Sequence, residues 1–212
     1  MKLKVAYNAP VVLTFAILAV IVQLMPQSVH EWFQAYPDAS YGVHTWIGLF
    51  SHILGHAGWD HLLANFMLIL LVGPILEERH GSLRLLLMIL VTAGVTGLAN
   101  MLFSNHILLG ASGVAFMMIL LSSTANIKAG KIPLTFIAVA ILYMGSEVTK
   151  IASNDGVSHM AHLVGGSVGA VFGFLFAPKE NKKKAAALAA KDGPANAELG
   201  LPTATALPAA KA

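Results

Sequence analysis

The sequence predicts an all-α polytopic membrane protein with six transmembrane helices and with both termini in the cytoplasm. Of the 212 residues, 57% are hydrophobic and only 11% are charged, whereas soluble domains carry about 25% charged residues. The mean hydropathy is +0.73, and the apolar residues are collected in long blocks, as membrane spans require. The basic residues, in addition, fall almost entirely on one side of the predicted membrane.

Six apolar blocks are the candidate spans. They cover residues 9–25, 61–76, 83–103, 110–127, 132–148 and 157–177. Several blocks are shorter than the ~20 residues of a perpendicular span, so tilt, local thinning or loops that dip into the bilayer have to absorb the difference. Lys2 and Lys4 precede the first block, as in a signal peptide. The sequence around Met25 and Pro26 offers no small-residue cleavage site, which favours an uncleaved span.

The placement of Lys and Arg predicts the orientation, because these residues accumulate on the cytoplasmic side. With a cytoplasmic N-terminus, Lys150 is the only one of the 13 basic residues in an outer loop. The inner segments hold the others: Lys2, Lys4, Arg79, Arg84, Lys128, Lys131, Lys179, Lys182, Lys183, Lys184, Lys191 and Lys211. This distribution predicts a multi-pass protein of the plasma or inner membrane, and it accounts for the pI near 9.2 without a nucleic-acid partner.

The chain divides into three parts. Residues 1–8 form a short cytoplasmic N-terminus, and residues 9–177 form the six-span domain. Residues 178–212 are rich in Ala, Pro, Lys and Gly and have too few large apolar side chains to fold alone, so we expect a disordered cytoplasmic tail. Cysteine is absent, which excludes a thiolate nucleophile and a Cys-ligated metal.

The most unusual polar residues gather at one depth of the predicted membrane. Spans two, four and six all run from outside to inside, so their N-terminal ends lie near the outer face. These ends carry His61 with Asn65, the motif Gly110-Ala111-Ser112-Gly113, and His159 with His162. Polar groups at membrane depth usually face a bundle interior or a water-filled cavity, so the three clusters are expected to converge on a single site.

Ser112 and His162 are suited to nucleophilic catalysis. A serine hydroxyl is a poor nucleophile unless a base removes its proton, and a histidine with a pKa near ~6.5 is matched to that task. Spans four and six contain no Asp or Glu in their apolar parts. Asp155, in the loop before span six, is the nearby carboxylate that could orient the histidine. The sequence therefore favours a Ser–His dyad over a triad.

Acyl transfer also needs donors for the oxyanion of its tetrahedral intermediate, and the loss of one donor costs about 2.7–4 kcal/mol in the barrier. His61 and Asn65 are four residues apart and share one face of span two. The Asn65 side-chain amide, a ring N–H of His61 and the backbone N–H of Ser112 are candidates for this role.

Three motifs in this order resemble the rhomboid intramembrane serine proteases. They are His56-x4-His61-x3-Asn65, Gly110-Ala111-Ser112-Gly113 and Ala161-His162-x2-Gly165. A single G-x-S-G motif is common in membrane helices, but the three together on spans two, four and six are highly specific. The resemblance covers residues 9–177 and excludes the tail.

The resemblance implies a rhomboid-like helix bundle and a peptidase that cleaves transmembrane segments of other proteins near the outer face of the bilayer, without a cofactor. It implies Ser112 as the nucleophile and His162 as the general base. The remaining site residues that it implies are His61, Asn65 and Gly110 around the oxyanion, His56 as a support from the outer loop, and Gly113, Gly165 and Gly169 in helix packing. Glu77 and Arg79 match a polar cluster for which we expect a structural role.

One position departs from the family pattern. Many members carry a Trp-Arg pair nine residues before the histidine that matches His56, and this chain has Ile47 and Gly48 instead. The departure concerns the architecture of the first outer loop, where Trp32 and Trp46 are candidate interface anchors.

Other functions and other residue roles are compatible with parts of the sequence. An inactive relative that binds membrane clients would lack the serine or the histidine, and this chain keeps both. A small transporter would need buried charges along a pathway, and the spans offer only Glu147 and Arg84 near their ends. Ser112 alone would be most simply a helix-packing serine, and His159 is the alternative base.

The nine histidines also raise the question of a metal. His52, His56 and His61, or His159 with His162, could in principle ligate zinc. Catalytic zinc sites often add a carboxylate to their histidine ligands, and the H-E-x-x-H motif does not occur in the sequence. We therefore predict neither a metal nor another cofactor. The sequence does not indicate the oligomeric state.

Overall fold

The protein is helical in a computed structural model that describes residues 6–124, 132–151, 153 and 157–176. The α-helices are α1 Pro10–Leu24, α2 Gln27–His30, α3 Val43–Ser51, α4 Trp59–His80, α5 Ser82–Phe103, α6 Ser112–Ser123, α7 Leu134–Val139, α8 Gly145–Lys150 and α9 His159–Leu175. A π-helical turn, Ala140–Met144, joins α7 to α8. Within the described ranges there is no strand beyond one isolated bridge between Ala35 and Leu108, so the predicted all-α class is confirmed.

Each predicted span contains helix, but the helices differ in length. Two of the described helices, α4 and α5, are long and apolar enough to cross a membrane. The apolar helices α1, α6 and α9 are shorter, with 15, 12 and 17 residues. Three predictions are not tested by the structure: the count of six spans, the cytoplasmic side of the termini and the disorder of the tail. The tail, residues 178–212, lies outside the described residues.

The boundaries of two helices differ from the apolar blocks for a physical reason. Helix α4 continues beyond residues 61–76 at both ends because backbone hydrogen bonding does not stop where hydrophobicity stops. It ends at Gly81, whose φ of 82° lies in the left-handed region that terminates helices. Helix α6 begins only at Ser112, because Gly110 has a φ of 114° and cannot be part of a right-handed helix.

The segment between α1 and α4 is folded and lies against the rest of the chain. It contains α2, α3 and the two 3₁₀ turns Glu31–Phe33 and Ala39–Tyr41. A Cβ atom on Gly48 would overlap the carbonyl oxygen of Gln34. An arginine at position 48 would therefore not fit this conformation of the loop.

Glu77 joins the end of α4 to the start of α1. Its two carboxylate oxygens accept hydrogen bonds from the backbone N–H groups of Val11 and Val12, each at 3.0 Å. The first N–H groups of a helix have no partner within the helix, and the negative charge is favourable near that end of the helix dipole. Glu77 thus has the structural role expected of it.

Helix α9 packs most extensively on α6, and glycine makes the close approach possible. A Cβ atom on Gly165 would overlap the backbone carbonyl of Gly113, and one on Gly169 would overlap that of Met117. Gly173, one turn further, faces Thr124 in the same way. These three glycines, each four residues after the last, therefore form the α9 face that contacts α6, and small residues there allow the helices to approach closely.

We expect Gly169→Ala to lower the free energy of unfolding by about 1–3 kcal/mol, because overpacking of a tight contact forces the backbones apart. Gly145→Ala is the matched control, since a Cβ atom there has nothing within 4 Å and alanine favours helix by about 0.5–1 kcal/mol over glycine. Thermal unfolding in detergent micelles measures both effects. Equal stability of the two variants would contradict the packing described for α6 and α9.

Candidate active site

The turn that precedes Ser112 is held by the outer loop. The N–H of Gly110 donates to the carbonyl oxygen of His52 at 3.0 Å, and the N–H of Ala111 donates to Nε2 of His56 at 3.3 Å. Gly110 is required here, because its φ of 114° is one that side chains strongly disfavour. Ser112 is the first residue of α6 and is half-buried, so its hydroxyl is placed at the rim of a rigid turn.

His52 and His56 are buried in their neutral form. Nδ1 of His56 lies 3.2 Å from the carbonyl oxygen of Leu54, so it carries the proton, and Nε2 accepts from Ala111. Nδ1 of His52 likewise donates to the carbonyl oxygen of Gly48 at 3.0 Å. Burial lowers the pKa of each histidine to about 4. Both rings are therefore uncharged hydrogen-bonding groups at neutral pH, which fits the supporting role predicted for His56.

His61 and Asn65 project from the first turns of α4 onto Gly110. A Cβ atom on Gly110 would lie 2.7 Å from Nε2 of His61 and 3.4 Å from Nδ2 of Asn65. Nδ1 of His61 accepts a hydrogen bond from the N–H of Ala57 at 3.4 Å, so the proton of the neutral ring is on Nε2. Two side-chain N–H donors thus lie against the backbone just before Ser112.

Nδ2 of Asn65 is buried without a hydrogen-bond partner among the described residues. A buried donor without a partner is costly, by about 1–3 kcal/mol, and such a group in a native protein calls for an explanation. An acceptor that binds only during the reaction would supply the missing partner.

His162 lies on α9 beside the start of α6. Its ring stacks on that of Phe116, with centroids 4.3 Å apart and an interplanar angle of 7°. Phe116 is one turn after Ser112, and a Cβ atom on Gly113 would lie 3.3 Å from the carbonyl oxygen of Ala161. Ser112 and His162 are therefore at the same level of the α6–α9 contact, each directly beside a residue of that contact.

The carboxylate beside His162 in the structure is Glu147, which the sequence analysis did not propose for this position. Oε2 of Glu147, on α8, lies 2.7 Å from Nδ1 of His162 and is 15 residues away in sequence. Asp155, the expected candidate, lies outside the described residues. Glu147 is only 6% exposed, which is unusual for a carboxylate and requires that it be paired.

His159, the alternative base, is engaged through both ring nitrogens. Its Nδ1 lies 2.6 Å from the same oxygen, Oε2 of Glu147, and its Nε2 lies 3.1 Å from Oγ of Ser153. Proton transfer through His159 would require one of these bonds to break. Nδ1 of His162 also lies beside Oε2 of Glu147, at 2.7 Å, which places the lone pair of the neutral ring on Nε2.

Sequence reasoning missed two residues around His162. Phe116 is indistinguishable from a packing residue in an apolar helix, so no sequence signal identifies it. Glu147 did carry a signal, because an ionisable residue in a span is by itself an indication of function. The ligand atoms of Glu147, His159 and His162 lie within 4.8 Å of one another, so these residues could also hold a metal ion; the absence of a metal stays a prediction.

Comparison with known proteins identifies the family. The family described as "Rhomboid domain" matches residues 43–179 of this chain, which include α3 to α9 and all the candidate site residues. This match covers more than half of the chain. The chain therefore belongs to the rhomboid family of integral membrane proteins, as the three motifs predicted.

Three relatives show how far the similarity extends. The chain is 30% identical to "Putative rhomboid protease YdcA" of Bacillus subtilis, over 79% of this chain and 87% of that protein. It is 26% identical to "Rhomboid protease GlpG" of Haemophilus influenzae, over 82% and 95%. It is 33% identical to "Rhomboid-related protein 1" of Caenorhabditis elegans, over 59% of this chain but only 38% of that longer protein.

We expect the free energy of unfolding to fall as the pH falls from about 6.5 to about 4. In this window the unfolded histidine, with a pKa near ~6.5, binds a proton that folded His52, with a pKa of about 4, excludes. The unfolded state then holds more protons, so acid favours it, by up to about 3 kcal/mol for a complete shift. Unfolding midpoints measured across this pH range test the expectation.

His52→Gln is expected to flatten this pH dependence, because it removes the titrating ring. His106→Gln, which replaces an exposed histidine, serves as the control and is expected to keep the dependence of the wild type. A wild-type slope in the His52→Gln variant would show that another group is responsible.

Proposed function

We propose that this protein is an intramembrane serine endopeptidase that cleaves transmembrane segments of other membrane proteins. The observation that carries the proposal is the convergence of three helices on the turn at Gly110. There α6 provides the hydroxyl of Ser112, α4 provides the N–H donors of His61 and Asn65, and α9 provides the ring of His162. The relatives named as proteases support the same activity.

Ser112 is the nucleophile and His162 the general base of the proposed reaction. Nε2 of His162 takes the hydroxyl proton as Oγ of Ser112 attacks the substrate carbonyl carbon. The imidazolium then returns this proton to the amine that leaves, and an acyl-enzyme remains. Water attacks the ester with His162 again as the base, and the acid product leaves with Ser112 restored.

The oxyanion of each tetrahedral intermediate is placed against the N-terminus of α6. Nδ2–H of Asn65, Nε2–H of His61 and the backbone N–H of Ser112 are the proposed donors. Nδ2 of Asn65 has no hydrogen-bond partner among the residues that the structure describes. This supports the role, because a donor that is organised before the reaction costs no rearrangement when charge develops.

The substrate is a transmembrane helix of another protein, and the bilayer is the medium in which both meet. A peptide bond inside a regular helix cannot present its carbonyl group to Ser112, so the substrate has to unwind locally. Gly or Pro in the substrate would lower the cost of this step, since such residues already weaken membrane helices. With the predicted orientation, cleavage takes place near the outer face, and the family resemblance implies small residues before the cleaved bond.

The decisive experiment compares the wild type with Ser112→Ala and His162→Ala in reconstituted membranes. We expect the wild type to cleave a model transmembrane substrate and each variant to lose activity to the limit of detection. Labelling of Ser112 by a fluorophosphonate gives a check that does not depend on the choice of substrate.

Either variant retaining cleavage would remove the proposed dyad. A wild type that binds transmembrane segments but neither cleaves them nor reacts with the fluorophosphonate would instead identify the inactive, client-binding alternative.

Asn65→Ala tests the oxyanion donors separately from the nucleophile. We expect kcat to fall by about 10²–10³-fold, as for the loss of one donor in other acyl-transfer enzymes, while substrate binding is retained. Asn105→Ala is the matched control, because it removes the same amide group from an exposed loop position. Comparable kcat values for the two variants would contradict the proposed role of Asn65.

A further inference from the structure

Glu147 lies in α8, within the fifth predicted span and outside the two helices that carry the proposed dyad. The segment runs from α7 through the π-helical turn Ala140–Met144 to α8. Side chains of the turn pack on both dyad helices, since Tyr143 contacts the ring of Phe116 on α6 and Met144 lies over Gly166 on α9. The carboxylate of Glu147 is thereby brought to the edge of the His162 ring.

We propose that Glu147 is a positioning residue for His162, so that the site contains a line of hydroxyl, imidazole and carboxylate rather than a dyad alone. This inference rests on the proposed function. It also goes beyond the motifs, because it depends on a residue outside all three of them.

The contact with Glu147 selects the tautomer of His162. Nδ1 of the ring lies 2.7 Å from Oε2 of Glu147, and a carboxylate accepts hydrogen bonds but cannot donate them. The proton of the neutral ring is therefore on Nδ1, and the lone pair is on Nε2. This is the tautomer in which a histidine can take a proton from a serine, and a carboxylate at Nδ1 has this effect in serine hydrolases of other folds.

Glu147 also favours the positive charge that develops on His162 during the reaction. When Nε2 of His162 takes the proton of Ser112, the ring becomes a cation in a buried site. Glu147 is only 6% exposed, so its negative charge acts through a medium of low dielectric constant and favours the cation strongly. The carboxylate thus favours both the correct neutral tautomer and the protonated intermediate.

Glu147 is itself held in place by hydrogen bonding. Its Oε2 also receives the Nδ1 proton of His159 at 2.6 Å, and Nε2 of His159 lies 3.1 Å from Oγ of Ser153. A buried carboxylate needs such partners to remain ionised. The role of His159 in this proposal is therefore to fix the position of the Glu147 carboxylate, which in turn orients His162.

Glu147→Ala, Glu147→Gln and the control Glu78→Gln test the proposal. Glu78 is exposed, so its substitution repeats the change from carboxylate to amide away from the site. We expect kcat for a model transmembrane substrate to fall by roughly 10²-fold in Glu147→Ala, as for a misplaced catalytic group, with KM nearly unchanged. Glu147→Gln keeps an acceptor oxygen without the charge and is expected to lose less, and Glu78→Gln to match the wild type.

Nitrogen-15 NMR spectra of the histidines report the tautomer of the His162 ring without any need for activity. A purely structural role of Glu147 would leave this tautomer unchanged. In the wild type we expect the His162 ring to be protonated at Nδ1, and in Glu147→Ala to be a mixture of both tautomers. If Glu147→Ala fails to fold in detergent, the test relies on Glu147→Gln, because glutamine has nearly the same size as glutamate. Its kcat and its nitrogen-15 spectrum are then compared with those of the wild type.

Wild-type kcat in a folded Glu147 variant, or a wild-type His162 ring protonated at Nε2, would overturn the proposal. Loss of cleavage that comes entirely from KM would overturn it as well. If the wild type does not cleave but the Nδ1 tautomer is present and depends on Glu147, the protease proposal fails and the positioning of the ring stands. The two failures are therefore distinguishable.

Discussion

The backbone contact between α6 and α9 is the constraint on which the rest of the site depends. Helices in a membrane gain little from the hydrophobic effect when they associate, so close packing of small residues has to hold them together. Gly113 and Gly165 meet with no room for a Cβ atom between them. Ser112 directly precedes Gly113, and His162 precedes Gly165 by less than one turn. The contact that stabilises the helix pair therefore also sets the depth of the proposed nucleophile relative to the proposed base.

The polar groups buried around this contact are paired in a consistent way. The carboxylate of Glu77 accepts two helix N–H groups, His56 receives the N–H of Ala111, and Glu147 receives two imidazole protons. Each pairing fixes one helix or loop against another, since an unpaired polar group would be expensive in an apolar interior. Against this background Nδ2 of Asn65, which has no hydrogen-bond partner among the described residues, stands out, and this is consistent with the oxyanion role proposed for it.

The fold class and the family were predictable because both depend on local patterns. Apolar blocks indicate helices wherever they lie in the chain. Glycines at four-residue spacing, Gly165, Gly169 and Gly173, indicate which face of a helix packs closely on a neighbour. The number of spans is harder, because α6 has only 12 residues and its length alone does not decide whether it crosses a bilayer. Glu147 was not recognised as the partner of His162 because the two are 15 residues apart and meet only through tertiary packing. Phe116 was missed because stacking on a histidine leaves no trace in an apolar sequence.

The ring of His162 is restrained by two contacts that differ in kind. Stacking on Phe116 at 7° sets the plane of the ring but not which edge faces the nucleophile. The hydrogen bond to Glu147 selects the edge, because only one orientation within that plane brings Nδ1 to the carboxylate. An extra residue in one helical turn rotates the helix that follows by about 100°, so the π-helical turn Ala140–Met144 helps to set the direction in which Glu147 projects from α8. The orientation of the proposed base therefore depends on an irregularity in a helix that contributes neither the proposed nucleophile nor the proposed base.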